Sequence, residues 1–375
     1  MLTPVGWGVA VASAVLYAVG AVLGYPEPVA LAVGGFLAVV TAVLWTLPQP
    51  SLTVVREVTP DRVARGEPAT GVLHVTNTGR ARRAGMRAYD ACGGGRIDVR
   101  VPVLRPGRAE TIRYALPTDR RGEIPVGPLR LVRADPFGLA RRVREYGEPR
   151  TLLVRPHTVA LPLLPSGRNH HLEGPTSDTA PAGTVTFHAL REYAMGDDLR
   201  HIHWRSSART GTLMVRQLVD ASMPQTTVVV DTDAGVYADA DDFELAVDAA
   251  ASIAAGAARM NFPVRVLTAD GPLVETRGGA RDVEELLDRL AGLSRTDGAH
   301  GAVEVARRVR AGGALVLVTG GRGEVSRTGA LRRRFDRVVC VRVRPEAPGP
   351  SLPGVALIEI SDLAELLVAW KGATR

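Results

Sequence analysis

The sequence predicts a multidomain membrane protein with three parts: a transmembrane helical hairpin, an immunoglobulin-like β-sandwich and a doubly wound α/β domain. Three observations predict this order. Residues 5–47 form two apolar runs without Lys or Arg, and residues 51–156 alternate as short strands separated by Gly and Pro turns. From residue 225 onward, buried strands alternate with amphipathic helices, which is typical of parallel βαβ units.

The predicted hairpin occupies residues 1–50, with helices at about 5–24 and 28–47. Each apolar run has about the twenty residues that a helix needs to cross a bilayer. Glu27 is the only acid between Val5 and Leu47. A cleaved signal peptide needs a basic start, which this N-terminus lacks, and a soluble hairpin needs polar faces, which these runs lack. We therefore expect the chain to be held in the lipid bilayer of the cell membrane.

The side of the membrane follows from the charges that flank the hairpin. Arg56, Arg62 and Arg65 follow the second helix, whereas the turn between the helices carries only Glu27. Positive residues favour the cytoplasmic side. The sequence therefore predicts cytoplasmic soluble domains behind a two-helix anchor.

The overall composition argues against nucleic-acid binding and disulfide frameworks. The net charge is +7, but the chain has a single lysine, Lys371, and no arginine run interleaved with stacking aromatic residues. Anionic lipid is a sufficient partner for a basic surface. The two cysteines, Cys92 and Cys340, lie far apart and form no Cys-x-x-Cys pair, so neither a disulfide scaffold nor a cysteine-based zinc site is expected.

Residues 51–156 are predicted to form the β-sandwich. Seven short strands bounded by Gly, Pro and Asn turns indicate an immunoglobulin-like arrangement. The predicted strands are Leu52–Val58, Gly71–Thr76, Met86–Asp90, Arg96–Val103, Thr111–Leu116, Pro128–Arg133 and Thr151–Val154.

Residues 225–375 are predicted to form the α/β domain, and residues 157–224 before it are expected to be irregular and polar. The predicted strands are Thr226–Val230, Val264–Thr268, Ala314–Val318, Val338–Val343 and Ala356–Ile360. The predicted helices are Asp241–Asn261, Val283–Gly292, Ala302–Arg310, Thr328–Phe335 and Asp362–Trp370.

The segment at 157–224 carries the densest set of chemically distinctive residues. Acids and arginines alternate there around aromatic rings, and guanidinium groups pair bidentately with carboxylates. The cluster is either a ligand or partner surface or a structural ion-pair network, and chemistry alone favours the network because such networks are common without catalysis. Its members are Arg191, Glu192, Tyr193, Gly196, Asp197, Arg200, His203, Trp204, Ser207 and Arg209.

This segment resembles the hallmark of the domain of unknown function 58 family. The matching residues are Leu190–Tyr193, Gly196-Asp197, Arg200, Ile202–Trp204 and Ser207–Arg209. Upstream, Arg121-Gly122, Gly127-Pro128 and Asp135–Leu139 resemble the run that precedes the hallmark in the family. The resemblance implies a C-terminal fold similar to von Willebrand factor A domains. It also implies gene neighbourhood with MoxR-type AAA+ ATPases and transglutaminase-like membrane proteins.

The resemblance raises the question of a metal site, because A domains often hold Mg²⁺ through Asp-x-Ser-x-Ser after the first strand. Asp231 occupies the first position, but Asp233 and Gly235 stand where the serines would be. Thr319-Gly320-Gly321 stands where an acid is expected. Asp231 and Asp233 are weak candidate ligands, and we expect a degenerate site with no cofactor.

The expected function is a non-enzymatic adaptor that works with a MoxR-type ATPase in envelope or complex maturation. One alternative is an enzyme that acts on a peptide or cell-wall substrate through Glu192, Asp197, His203 and Arg209. Another alternative is a metal-dependent ligand-binding A domain that uses Asp231.

Overall fold

The computed structural model describes residues 2–47, 51–82, 85–164, 185–193, 202–220, 225–298 and 300–373. In two strands, only the backbone is described at residues 185–189, 191 and 216–220. The chain divides into two compact units. The first holds Met1–His157 with Leu287–Leu293, and the second holds Thr158–Leu286 with Ser294–Arg375.

The first unit begins with the predicted hairpin, formed by α1 (Pro4–Leu23) and α2 (Pro26–Thr46). Thr3 caps α1, since its hydroxyl accepts the Gly6 amide hydrogen at 3.1 Å. Small residues let the helices approach closely. A Cβ added to Gly35 would lie 2.3 Å from the Ser13 hydroxyl oxygen, so a larger residue would separate the pair.

The outward surface of the hairpin is apolar. Val22, Leu31 and Phe36 are 84%, 68% and 61% exposed, respectively. Both helices are long and apolar enough to cross a bilayer, and most of each apolar stretch is not covered by the rest of the chain. The two helices are therefore candidate membrane spans.

A β-sandwich follows the hairpin in the same unit. One sheet has the order β1-β3-β6, and the other has the order β2-β9-β7-β4-β5 with β8 paired to β7. The strands are β1 (Leu52–Thr59), β2 (Arg62–Ala64), β3 (Ala69–Asn77), β4 (Met86–Cys92), β5 (Gly95–Val101), β6 (Ala109–Leu116), β7 (Gly122–Ala134), β8 (Arg141–Tyr146) and β9 (Arg150–Arg155). Leu73 and Val75 of the first sheet share a core cluster with Val99 and Leu129 of the second, so the sheets pack face to face.

Seven of these nine strands match the predicted ones, with shifted ends. β2 and β8 are absent from the prediction because they lack a buried alternating pattern of useful length. Only the central residue of β2 is buried, and no residue of β8 is buried.

Cys92 and Cys340 are free and buried, which agrees with the expected lack of a disulfide framework.

The second unit is built on a six-stranded sheet with the order β14-β13-β12-β15-β16-β17. Its strands are β12 (Thr226–Val230), β13 (Val264–Thr268), β14 (Gly271–Thr276), β15 (Ala314–Gly320), β16 (Arg337–Val343) and β17 (Ala356–Ile360). All neighbouring pairs are parallel except β13 with β14, which is antiparallel. Every residue of β12 and β15 is buried, as parallel sheets covered on both faces require.

The α-helices along this part of the chain are α4 (Ala240–Arg259), α5 (Ala280–Ala291), α6 (Ala302–Arg308) and α7 (Leu363–Ala373). A 3-10 helix at Ser326–Arg333 replaces the helix predicted at Thr328–Phe335. The Ala-rich α4 packs on β12, β13 and β15, and Asp239 caps it by accepting the Asp242 amide hydrogen at 2.9 Å. The antiparallel edge strand β14 was not predicted.

The segment predicted to be irregular contains regular structure. Strands β10 (Val185–Glu192) and β11 (Met214–Asp220) form an antiparallel pair, and a short helix, α3 (Trp204–Thr210), precedes β11. The sequence analysis did not predict this pair, because its two strands are defined by their pairing with each other rather than by local periodicity. Earlier in the segment, the Trp370 indole donates to the Pro162 carbonyl at 2.8 Å, which ties residues 158–164 to the end of α7.

Candidate functional site

The described part of the hallmark is organised around α3. His203 caps this helix, because its Nδ1 accepts the Ser206 amide hydrogen at 3.2 Å. The Ser206 hydroxyl lies 2.8 Å from the same nitrogen. Since Nδ1 serves as the acceptor, the proton of the neutral imidazole lies on Nε2. The hallmark histidine therefore has a structural role that its position in the sequence did not predict.

The inner side of α3 is fixed to β11. The Met214 amide donates to the Ser207 hydroxyl at 2.8 Å, and the His203 amide donates to the Met214 carbonyl at 2.8 Å. Ser207 is buried. Ile202, which lies before α3, is also buried and forms an isolated antiparallel β-bridge with Val215 of β11. These contacts explain why a serine stands at position 207: its hydroxyl satisfies a strand amide.

The outer side of α3 is exposed. The Trp204 side chain is 69% exposed at the first helical position, and Arg205 and Arg209 on the same helix are also exposed. Tryptophan and arginine are enriched where proteins bind one another. This exposed group, Trp204, Arg205 and Arg209, is here called the α3 surface.

The other predicted hallmark residues divide into two groups. Glu192 is exposed at the end of β10, and Tyr193 is half-buried, with its amide donating to the Leu213 carbonyl at 2.7 Å. The remaining members lie outside the described residues or have only their backbone described; these are Arg191, Gly196, Asp197 and Arg200. The ion-pair network through Asp197 therefore stays a prediction.

A second candidate site lies at the carboxyl end of the parallel sheet. The order of strands reverses between β12 and β15, and ligands of open α/β sheets bind in the crevice at such a switch point. Asp231 follows β12, and Thr319 lies near the end of β15. The Thr319 hydroxyl donates to Asp231 Oδ2 at 2.9 Å. The sequence prediction placed Asp231 correctly at a strand end.

Asp231 is buried, and its oxygens accept hydrogen bonds from three elements. The Ala302 amide at the start of α6 donates to Oδ2 at 3.4 Å, and the Asp233 amide donates to Oδ1 at 3.2 Å. Burial raises the pKa of the Asp231 carboxyl, and the bonds from Thr319, Asp233 and Ala302 oppose that rise. The carboxylate thus joins two strand ends to the first turn of a helix.

The chain itself closes the crevice beside Asp231. The Tyr237 hydroxyl donates to the Asp231 carbonyl at 2.6 Å, and the Arg322 amide donates to the Val236 carbonyl at 3.1 Å. A Cβ added to Gly320 would lie 2.1 Å from the Val236 carbonyl oxygen, so glycine is required where these loops meet. Neither Tyr237 nor Ala302 was predicted, and no spacing rule in the sequence pointed to them.

The donor set around Asp231 does not fit Mg²⁺. Mg²⁺ needs several hard oxygen ligands in near-octahedral geometry. Here, Asp233 Oδ1 accepts the Gly235 amide hydrogen at 3.1 Å, and Gly235 contributes no side-chain oxygen. Across the described ranges, no three His, Cys, Asp or Glu side chains converge in a metal-ligand group. Weak or absent Mg²⁺ binding stays a prediction, to be measured by calorimetry with Asp231→Ala as the control.

Comparison with solved structures gives matches at low sequence identity. The CARDB domain of the PF1109 protein from Pyrococcus furiosus is 17% identical, and the match covers 29% of this chain and 96% of that chain at a TM-score of 0.23. The sporulation control protein Spo0M from Bacillus subtilis is 14% identical, covering 29% of this chain and 51% of that chain at a TM-score of 0.19. A beta-glucosidase from Listeria innocua is 11% identical, and the match covers 26% of this chain and 16% of that chain at a TM-score of 0.17.

The family comparison is specific to the C-terminal part. A search of the curated proteins gives no match. Residues 189–368 match the family described as "Protein of unknown function DUF58". This range begins within β10, one residue before the hallmark, includes α3 and the whole six-stranded sheet, and ends within α7. This match, over slightly less than half of the chain, supports the resemblance to the DUF58 family that the hallmark residues predicted.

Proposed function

We propose that this protein is a membrane-anchored, non-enzymatic adaptor that binds a MoxR-type AAA+ ATPase in envelope or complex maturation. A transglutaminase-like membrane protein is a second expected partner. The observation that carries the proposal is the exposure of Trp204 within the family hallmark. The choice of an ATPase as partner rests on the family resemblance.

The α3 surface has the composition of a protein-binding site. A tryptophan that fills a core is buried, whereas Trp204 is 69% exposed although its helix is fixed to β11. A rigid aromatic side chain buries a large area on binding and loses little conformational entropy. Arg205 and Arg209 add donors for a carboxylate or a carbonyl of the partner.

The anchor of the proposed adaptor is the hairpin α1–α2. Its apolar residues face outward along both helices, and lipid is the environment that such a surface needs. We propose that the soluble domains face the cytoplasm, following the arginines after α2. We further propose an immunoglobulin-like sandwich and a von Willebrand factor A-like α/β domain, the latter supported by the antiparallel edge strand β14 and by Asp231 after the first strand of its sheet.

The two rival functions receive less support. An enzyme that used His203 as a base would need a ring nitrogen with a free lone pair, but Nδ1 accepts the Ser206 amide hydrogen and Nε2 carries the proton of the neutral ring. A metal-dependent ligand-binding domain would need carboxylate oxygens open to the ion, but Asp231 accepts hydrogen bonds on both of its oxygens. An adaptor needs only the exposed α3 surface.

The proposal is tested by co-purification of the full chain from detergent-solubilised membranes, followed by quantitative mass spectrometry. Trp204→Ala should lower recovery of the AAA+ ATPase by roughly 30-fold, the effect of losing a hot spot of about 2 kcal/mol. Val368→Ala is the matched control, because Val368 is a 73% exposed apolar residue on α7. Both variants should melt like the wild type. If the wild type never enriches an AAA+ ATPase, the adaptor proposal is wrong.

A further inference from the structure

An arginine-rich cavity of about 990 Å³ lies beside the last turn of α2. One side is lined by Trp45, and the other is lined mainly by residues of β4, β5, β7 and β8. Asp98 is the single acid among the lining residues. The arginines that line the cavity are Arg82, Arg87, Arg96, Arg100, Arg133 and Arg141.

The strand register brings two of these arginines directly together. Arg87 on β4 is the cross-strand partner of Arg100 on β5. Like charges at directly opposite positions destabilise a sheet unless a counter-charge lies between them. Within the described part of the chain, neither Arg87 nor Arg100 forms an ion pair. The pair therefore lacks a described protein counter-ion.

Other arginines on the same sheet face have partners. The lack of a counter-ion at Arg87 and Arg100 is therefore not a general property of this surface. Arg130 donates to Glu145 at 2.8 Å. Arg96 lies over the Tyr89 ring, 6.0 Å from its centroid. Arg87 and Arg100, which form no ion pair among the described residues, therefore both bring positive charge to the cavity that Trp45 borders.

The cavity lies at the end of the hairpin where both helices meet the β-sandwich. Trp45 belongs to the last turn of α2. At the start of α1, the Thr3 amide donates to the Leu139 carbonyl at 2.9 Å. Leu139 lies two residues before Arg141, which lines the cavity. Given the proposed membrane insertion of α1–α2, on which this inference rests, lipid headgroups occupy this level of the molecule. Tryptophan is enriched at that level of membrane proteins.

We propose that this cavity binds the phosphate headgroup of an anionic glycerophospholipid from the leaflet that it faces. Arginine forks match phosphate oxygens bidentately, and Arg87 with Arg100 would share one phosphate. A volume near 990 Å³ is within the range of small-molecule sites. The acyl chains would leave the cavity along the apolar surface of α2, which a soluble phosphate could not use.

The test is native mass spectrometry of the full chain in neutral detergent, titrated with phosphatidylglycerol or phosphatidylcholine. The wild type should bind phosphatidylglycerol in preference to phosphatidylcholine. Arg87→Gln/Arg100→Gln should weaken phosphatidylglycerol binding about 25-fold, as expected for the loss of two arginines near an anionic headgroup. The matched control is Arg105→Gln/Arg113→Gln, which removes the same charge from exposed positions outside the cavity and should change binding less than twofold.

Two further arms separate the sources of the anion and the two proposals. Inorganic phosphate at the concentration of the lipid should not displace phosphatidylglycerol; displacement would mean that the cavity binds a free anion and would overturn the lipid proposal. An alkaline wash of membranes tests insertion separately. If the wash releases the chain, both the anchor and the lipid site are wrong. If the chain stays and shows no preference for phosphatidylglycerol, only the lipid site is wrong.

Discussion

Arg56 and Asp90 form an ion pair inside the β-sandwich, with side chains that are 1% and 0% exposed. Arg56 also donates to the Glu148 carbonyl at 2.7 Å, and the Tyr114 hydroxyl donates to the second oxygen of Asp90. Burial raises the pKa of Tyr114, and its bond to the Asp90 carboxylate adds to the rise. Arg56 was counted in the sequence as a charge flanking the membrane, but Asp90 compensates that charge internally.

Asp90→Ala should destabilise the protein by about 3–5 kcal/mol, because it leaves the Arg56 guanidinium buried without its counter-ion. Chemical unfolding of the full chain in detergent measures the loss. Glu110→Ala is the control, since Glu110 is an exposed carboxylate on β6. The double variant Arg56→Met/Asp90→Leu should recover much of the loss. Equal unfolding midpoints for Asp90→Ala and Glu110→Ala would contradict the prediction.

His203→Ala should weaken α3 by about 1 kcal/mol, because the Ser206 amide loses its acceptor. His203→Asn should keep most of that stability, since asparagine is a good capping residue. Hydrogen exchange at Ser206 and Ser207 reports the difference directly. Equal exchange rates in both variants would show that the cap does not stabilise the helix.

Asp231 should give the stability a pH dependence of known sign. Burial raises its pKa in the folded protein above the ordinary value of 3.8. The stabilisation from this group is therefore fully present below pH 3.8 and is lost as the pH rises through the folded-state pKa. In Asp231→Asn, this contribution is missing, so the stability of the wild type relative to the variant should fall with rising pH. A difference that is flat or rises with pH would contradict the raised pKa.

Removal of residues 1–50 should release a soluble fragment that retains one exposed apolar site. The hairpin covers Leu139 and Ala140, which share a cluster with Val39 and Ala42 of α2. Leu139→Ser in the truncated chain should therefore reduce self-association, as measured by light scattering, and should have no such benefit in the full chain. If the truncated chain still sediments with washed membranes, another membrane-binding surface exists.

The sequence predicted the parts of this protein that depend on local pattern. The runs at Thr226–Val230 and Ala356–Ile360 became strands with the predicted ends, because a short β-branched or apolar run between turns has few alternatives. The exposed strand β8 and the antiparallel edge strand β14 carry weak local signals and were missed. Their positions depend on pairing with β7 and β13, which local periodicity does not encode.

The same distinction applies to the sites. Asp231 could be placed at a strand end, and Trp204 could be singled out as a candidate. The partners of Asp231, namely Thr319 and Ala302, come from 88 and 71 residues away. The role of His203 as a cap depends on where α3 begins. The arginine cavity brings together Trp45, Arg87 and Arg141 from three separate elements, so no spacing in the sequence indicates it.

The bond between Thr3 and Leu139 has a mechanical consequence. A hinge between a membrane anchor and the soluble domain that it carries needs a stretch of chain whose backbone is free to rotate. Here the first turn of α1 is fastened to the β-sandwich twice, through the Thr3 amide at 2.9 Å and through the Thr3 hydroxyl, which donates to Gly138 at 2.6 Å. A force that acts on the sandwich is therefore transmitted directly to the start of α1, and it tilts or rotates the helix.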